Sequence, residues 1–309
     1  VISPAPQLAD RPPTPAAAPT IAARYTVLGV PIAVSSNAEA ALQVVDETYA
    51  AFRDEFGAPA PAFAAELIGL AGESGATVRD SGGYERAWPE AQAALIDLLD
   101  RIVHGVLAEL HRRDIYAIHA GALVDRGAAL VVAGRSGQGK TTLTLGLLRR
   151  GLGLLSDEFA VIDPASQRIM PYRRSLHIRP GTPELIPELR GLAERPRRQL
   201  GGGVEWSVTP DELAEVFPGC LAASAPLRYV ILLDGAPDPS SPPALTPAPA
   251  ALATIELLRG TWAASRDFAA GLSRLSRLMS GVTCARLRAG ALEPTLDAIG
   301  NWLEAHRGS

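Results

Sequence analysis

Lysine is nearly absent from this chain. Of 309 residues, 29 are Lys or Arg, and Lys140 is the single lysine among them. Wholesale use of arginine alongside many alanines is what a GC-rich genome produces, so the bias itself is bland. The one retained lysine therefore asks for a local reason. Cysteine is also scarce. Cys220 and Cys284 are far apart, with no CxxC spacing. That excludes a disulfide scaffold and argues against a thiolate metal pair, leaving two buried thiols in a reducing compartment. No apolar run approaches the ~20 residues of a membrane helix. The longest, Leu143 to Leu155, is broken by Arg149 and Arg150. The opening residues lack the basic start and apolar stretch of a secretory leader. These absences predict a cytoplasmic protein with no membrane partner. The balance of 29 basic against 33 acidic residues, net −4, excludes a globally basic nucleic-acid binder. No nucleic-acid partner is expected.

What is present suits a globular α/β protein. Apolar residues make up 47% and charged residues 20%, enough to bury a sizeable core. Length alone suggests about two domains. Residues 1–22 are Pro- and Ala-rich without periodicity and read as a disordered tail. Residues 23–114 read as a small α/β module. In it, Tyr25–Ser36 is a strand or a hairpin turning at Gly29, followed by a helix capped by Asn37 and running to about Phe56. Short strands are expected at Glu66–Ala71 and Thr77–Trp88. Pro89 opens a helix that runs to about Arg113.

Residues 115–309 form the second unit. Strands are expected at Ile115–Val124 and Ala128–Ala133, then a Gly-rich loop and a helix over Lys140–Arg150. A strand over Leu154–Ile162 carries Asp157 and Glu158. Arg168–Ile178 reads as a further strand pair, and Arg195–Gly203 as a basic, flexible loop. Leu227–Leu233 is a buried-type strand ending in Asp234. Residues 236–250 hold six prolines and read as an exposed loop. Ile255–Met279 reads as helical, Cys284–Leu287 as an edge strand and Leu292–Ala305 as the last helix.

The sharpest motif is Gly134-Arg135-Ser136-Gly137-Gln138-Gly139-Lys140-Thr141, a full match to G-x-x-x-x-G-K-[ST]. The lone lysine falls on its diagnostic position. The apolar run Ala129–Ala133 precedes it and a helix follows, which is the required context. Glycines let backbone N–H groups turn inward around phosphates, and the helix N-terminus adds favourable partial charge. Lys140 bridges the outer phosphates, and the Thr141 hydroxyl is placed for Mg²⁺. The nucleotide-binding set is Gly134 to Thr141, with Thr142 after it. Without a second lysine there is no NKxD base-reading motif, which excludes a GTPase. No LSGGQ-like signature is present either; Arg198 to Gly203 is only a faint echo.

One helix further on lies Ser156-Asp157-Glu158. Adjacent carboxylates beside a phosphate loop can divide labour between holding a metal and accepting a hydroxyl proton. His119 lies on the strand pair leading into the loop. Alternation places Arg173, Ser175, His177 and Arg179 on one face of the 171–179 stretch, suited to a γ-phosphate or an acidic substrate group or, blandly, a charged edge strand. Arg174 joins Arg173 and Arg179 as a candidate substrate contact. Asp234 is Walker-B-like in form. Arg195, Arg197 and Arg198 could form a basic lid or a solvated turn.

The run from Ile118 to Glu158 resembles the catalytic core of the HPr kinase/phosphorylase family. His119, Lys140 and Asp157 stand in that family's order, and the overall layout resembles the HPr kinase-like proteins of lasso peptide and related peptide-biosynthesis clusters. The resemblance implies a P-loop domain of the HPr kinase (PEP carboxykinase-like) type. It implies ATP and Mg²⁺ as cofactors, transfer to a serine-type hydroxyl on a peptide or small protein, and a homo-oligomer as an open arrangement. Asp157 would be the base, His119 would handle charge near the transferred group, and Thr141, Asp157 and Glu158 would face the metal. The sequence departs from the pattern at Glu158, where the family usually has Asp. Glu188-Leu189-Arg190-Gly191-Leu192 resembles the family's metal-binding segment, but Ala193 replaces its last glycine. The family's downstream catalytic arginine has no counterpart, so phosphorylase activity is not carried over. Two other readings fit the residues: a small-molecule kinase on the same core, or a non-catalytic ATP-binding adaptor.

Overall fold

In the computed structural model, the described residues are 21–54, 59–69, 75–194, 198–200, 203–261 and 268–307. Of the expected 1–22 tail, residues 1–20 lie outside them, and Ile21 and Ala22 already belong to a strand. The N-terminal part contains β1 (Ile21–Val27), β2 (Val30–Ser36), α1 (Glu39–Tyr49), β3 (Phe63–Gly69), β4 (Ala76–Asp80), β5 (Glu85–Trp88) and α2 (Ala91–Arg112). The strands form one sheet in chain order, β2 and β3 being parallel. Leu28 and Gly29, both at positive φ, close the β1–β2 hairpin, the two-residue turn that matches strand twist.

Two helix starts differ from expectation. Asn37 does not cap α1; Ala38 holds that place. The Asn37 amide instead exchanges two hydrogen bonds with the Gly69 backbone, accepting at 2.7 Å and donating at 3.1 Å. Pairing the end of β3 satisfies two backbone groups, where a cap satisfies one. Glu90, not Pro89, precedes the first turn of α2.

The rest of the chain contains β6 (Tyr116–Asp125), β7 (Ala128–Ala133), α3 (Lys140–Arg149), β8 (Gly153–Ser156), β9 (Phe159–Asp163), β10 (Arg168–Met170), β11 (Leu176–Ile178), α4 (Thr182–Leu185), α5 (Arg190–Ala193), β12 (Arg198–Leu200), β13 (Gly203–Val208), α6 (Pro210–Val216), β14 (Ala225–Leu233), β15 (Ala244–Pro247), α7 (Ala250–Arg259), α8 (Phe268–Leu278), β16 (Thr283–Arg288) and α9 (Leu292–Ala305). The central sheet runs β10-β9-β6-β7-β14-β16-β15, and β8 also pairs with β6. β7, β14 and β16 are parallel neighbours. Leu143, Leu147, Leu296 and Ile299 of α3 and α9 pack on one face. Leu257, Leu258, Leu275 and Leu278 of α7 and α8 pack on the other. This is a mixed α/β, three-layer arrangement.

Several elements correct the expectations. The stretch over Leu154–Ile162 is two strands, β8 and β9, and the break falls on Asp157 and Glu158. Cys284–Leu287 is no edge: β16 lies between β14 and β15. The proline-rich 236–250 stretch supplies that edge as β15, which tolerates proline because one side of an edge strand needs no ladder donors. The basic 195–203 stretch is in part a hairpin, β12 with β13; Arg195 and Arg197 lie outside the described residues. Ile255–Met279 is two helices rather than one, α7 ending at Gly260. Among the described residues no helix is long and apolar enough to cross a membrane.

The hydrophobic core of the N-terminal part does not stop at its own elements. Val45, Tyr49, Leu98 and Ile102 share it with Ala117, Phe159, Val161 and Tyr172 of the second part. Phe159 directly follows the acidic pair, so this shared core reaches the candidate site.

Candidate functional site

The glycine-rich loop expected to cradle phosphates leaves the end of β7 and enters α3. Gly137 and Gly139 have φ of +82° and +84°, the left-handed region that glycine occupies without steric cost. Gly139 is the N-cap of α3. Gly134 is needed for a different reason. A Cβ there would lie 2.7 Å from Gln138 Oε1 and 2.9 Å from Leu233 Cβ, so only glycine lets β7 approach β14 so closely at this point. Gln138 folds back and accepts from the Arg135 N–H at 2.5 Å. Lys140 is buried at 8% exposure. Its Nζ donates to the carbonyls of Gly134, at 2.8 Å, and Arg135, at 3.1 Å. The loop thus closes around its own lysine. Burial holds the Lys140 pKa below the ordinary value, while Asp157 and Glu158 oppose that shift.

The acidic pair sits on the bend between β8 and β9. Ser156 is buried, and its Oγ accepts from the N–H groups of Glu158, at 3.2 Å, and Phe159, at 3.0 Å. That side-chain bond substitutes for ladder pairing and stops β8 there. The Ala120 N–H then donates to the Glu158 carbonyl at 3.0 Å, which fixes the bend against β6. Burial pushes the Asp157 carboxyl up to about 7, and Glu158 beside it adds to the shift. Glu158 is likewise raised by burial, against the pull of Arg174.

Two clefts flank the phosphate loop. One, of about 530 Å³, is lined by Ser136, Gly137, Gly139, Lys140, Thr141, Thr142, Asp157, Glu158, Arg174 and Arg179 among others. The other, of about 770 Å³, is lined by Gly134, Arg135, Gln138, Asp234, Arg259 and Arg286 with apolar Ile118, Leu232 and Leu252. His119 borders both. It lies on β6 opposite Phe159, with ring centroids 5.6 Å apart at 73°. Burial, then Lys140 and Arg174, hold its imidazole below the ordinary pKa. Burial and the two cations thus disfavour a charged imidazole there.

The expected residues divide accordingly. The structure brings His119, Lys140, Thr141, Thr142, Asp157, Glu158, Arg174 and Arg179 to one cleft. Arg173 is not among that cleft's residues; its guanidinium donates to the Ala222 carbonyl. Ser175, His177 and Arg179 line the cleft together, as the alternation expects; Arg173 departs from it because it lies upstream of β11, outside the strand. Glu188 lines neither cleft and lies 3.8 Å from Arg149. Asp234 faces the larger cleft and pairs with Arg286 at 3.0 Å.

Arg174 has a role the sequence does not announce. Its Nε lies 2.5 Å from Glu158 Oε2, and the two side chains are 13% and 24% exposed. Glu158 is thus committed to a cation, and Asp157 is the freer carboxylate. Ser156, Tyr172 and Phe159 were also not legible as site residues; the sole hint is the serine directly before two acids.

The Thr141 hydroxyl, on the first turn of α3, and the Asp157 carboxylate, on the β8–β9 bend, line the same cleft and are oxygen donors of the kind a hard divalent cation takes. Mg²⁺ is typically held by one or two carboxylates plus substrate phosphates. Among the described residues no group of three or more His, Cys, Asp or Glu side chains stands together.

No family model matches the chain, and no curated protein matches it. Among solved structures it is similar to the HPr(Ser) kinase/phosphatase from Coxiella burnetii, at 15% identity over 62% of this chain and 95% of that one, with a TM-score of 0.29.

Proposed function

We propose that this chain is an ATP- and Mg²⁺-dependent P-loop kinase of the HPr kinase type, transferring a phosphoryl group to a serine-type hydroxyl on a peptide or small protein. One observation carries the reading. A buried lysine sits in a loop of left-handed glycines, and the same cleft holds a carboxylate whose pKa is about 7.

In this reading the backbone N–H groups of residues 135–140 and the N-terminus of α3 cradle the phosphates. Lys140 leaves its loop carbonyls for the outer phosphates. Thr141 would hold Mg²⁺ together with the phosphates, and the chemistry that ion supplies is to neutralise charge on the transferred group. Asp157 accepts the proton of the acceptor hydroxyl, and a base with a pKa near the working pH is suited to that task. His119, which borders both clefts and whose charged form is disfavoured, donates a hydrogen bond near the transferred group. Arg174 neutralises Glu158, which lowers the repulsion on Asp157. Catalysis would come chiefly from positioning and electrostatics.

The test incubates the protein with γ-labelled ATP, Mg²⁺ and candidate acceptors: serine-containing peptides, HPr-like proteins and free serine. The expected result is a mass gain of one phosphate that disappears in Lys140→Ala and Asp157→Asn. Labelling of free serine alone would point to a small-molecule kinase. Tight ATP binding with no turnover on any acceptor, and indifference to Asp157→Asn, would overturn the kinase reading in favour of an adaptor.

A further inference from the structure

The two clefts take different ends of the glycine-rich loop. Gly134 and Arg135 line the larger one, and Lys140, Thr141 and Thr142 the smaller. The loop therefore has a direction. Its lysine serves the outer phosphates, and the Lys140 ammonium lies against the carbonyls of Gly134 and Arg135, where the loop begins. Thr141 and Thr142 stand at the other end, on the first turn of α3, where the helix N-terminus receives the inner phosphates. A triphosphate laid along the loop in this sense points its γ end toward the larger cleft. Its nucleoside then enters the smaller one.

In-line transfer asks for the same division, because the attacking and leaving oxygens stand on opposite sides of the γ phosphorus. An acceptor hydroxyl thus arrives from the side of the larger cleft. His119 borders both clefts, and the next residue, Ala120, donates to the Glu158 carbonyl at 3.0 Å. The bend that carries Asp157 is thereby tied to the same junction.

Each cleft is furnished for its share. In the smaller, Leu185 of α4 is 51% exposed and offers an apolar surface to a base. Glu205 of β13 faces the same cleft, with its carboxylate 3.1 Å from Arg179 Nε; a carboxylate so placed can accept from ribose hydroxyls. In the larger cleft the floor is apolar, with Ile118, Ala133 and Leu232 all buried. Three arginines, Arg135, Arg259 and Arg286, meet two carboxylates, Asp234 and Glu256. Arg286 pairs with Asp234 at 3.0 Å, and Arg259 with Glu256 at 2.8 Å. The cleft thus carries one cation in excess, and its volume of about 770 Å³ suits a ligand of several groups and not a lone hydroxyl.

We propose that the two clefts divide the substrates: the smaller takes the donor's nucleoside against Leu185 and Glu205, and the larger docks the acceptor as a peptide segment with an apolar side chain and a carboxylate flanking its serine. The inference rests on the kinase reading above and names its acceptor class. The serine Oγ bonds to the γ phosphorus as the bond to the β–γ bridging oxygen breaks. The hydroxyl proton passes to Asp157, and ADP leaves with the electron pair.

The experiment sets Arg286→Glu beside Leu185→Gln. Both residues are exposed, so neither change disturbs the core. Calorimetry reads the affinity for MgATP and for magnesium tripolyphosphate, which has no nucleoside. Steady-state kinetics read KM and kcat for free serine and for serine peptides that carry a leucine and differ at one flanking residue: Asp, Asn or Lys. Arg286→Glu is expected to raise KM for the Asp peptide about tenfold and to turn the preference toward the Lys peptide. Its kcat and its MgATP affinity should stay within about twofold of wild type. Leu185→Gln is expected to weaken MgATP about fivefold, with tripolyphosphate affinity and peptide KM within about twofold. A merely structural defect would not reverse the peptide preference. Weakened MgATP binding in Arg286→Glu with none in Leu185→Gln, or a peptide preference indifferent to Arg286→Glu, would overturn the inference and leave the kinase reading intact. Transfer to free serine and to none of the peptides would do the same. No transfer to any acceptor would overturn the kinase reading as well.

Discussion

Arg174 and Glu158 are 16 residues apart in sequence, and their charged groups meet at 2.5 Å beside the phosphate loop. This contact divides the acidic pair. Glu158 faces a guanidinium, and Asp157 is left beside Lys140 and Thr141 with a pKa near neutrality. The division gives two adjacent carboxylates different chemistry on one bend.

Asp157→Asn should remove the base while keeping the fold and the phosphate loop. Phosphoryl transfer is expected to fall by roughly 10²–10⁴-fold, the usual span for a lost general base. ATP affinity, measured by calorimetry, should stay within a few-fold of wild type. Turnover retained in this variant would remove Asp157 from the mechanism.

The raised pKa of Asp157 has a consequence for stability. In the unfolded chain the carboxyl loses its proton near pH 4, and in the folded chain near pH 7. Between those values the native state binds more protons, so stability falls as pH rises, and the loss is complete above about pH 7. Asp157→Asn should therefore melt at a higher temperature than wild type at pH 8, with the gap closing toward pH 4. Equal melting temperatures at pH 8 would contradict the burial of a charged Asp157.

The same group predicts the activity profile. In the wild type kcat should rise with pH to a plateau, with a midpoint near 7 that moves down as Mg²⁺ is raised. His119, held below its ordinary pKa, is expected to lose its charge at lower pH than this midpoint. A profile flat from pH 6 to 8 would argue against Asp157 as base.

Lys140→Ala should abolish measurable ATP binding, because the chain has no other lysine and the buried position admits no arginine substitute from nearby. Lys140→Arg should also fail: the larger planar head cannot reproduce a compact ammonium inside the loop. Tight nucleotide binding by either variant, read by calorimetry, would show that the loop is not the phosphate site.

Gly105 tests the N-terminal packing. A Cβ at this position of α2 would lie 2.4–2.5 Å from the Phe63 ring. Gly105→Ala is expected to destabilise the protein by about 1–3 kcal/mol, the range for overpacking. Denaturant melts check this, and a neutral result would show that β3 yields easily to α2.

The contiguous motifs were legible without the structure. Gly134 to Thr141, the preceding strand β7, the following helix α3 and the acid pair all depend on neighbours a few residues away, where spacing alone fixes the geometry. The lone lysine marked the phosphate loop because every other basic position is arginine. The less legible parts had conflicting local signals. Asn37 carries an N-cap signature but bonds across to Gly69, 32 residues away. Residues 244–247, inside the proline-rich 236–250 stretch that reads as a loop, pair with β16 at the sheet edge. Alternation puts Arg173 on the face of Ser175 and His177, but packing sends Arg173 to the Ala222 carbonyl and Arg174 to Glu158.

A glycine-rich loop matching the G-x-x-x-x-G-K-[ST] pattern, its lysine and a pair of acids one helix later could be read from the residues alone, because short-range backbone geometry places them. Tertiary structure decided which acid is neutralised, where His119 lies relative to the two clefts, and that α1 meets segment 172–175. Those contacts join residues up to 128 apart. They arise because burying Tyr49, Tyr172 and Phe159 in one core leaves their polar neighbours few partners other than each other.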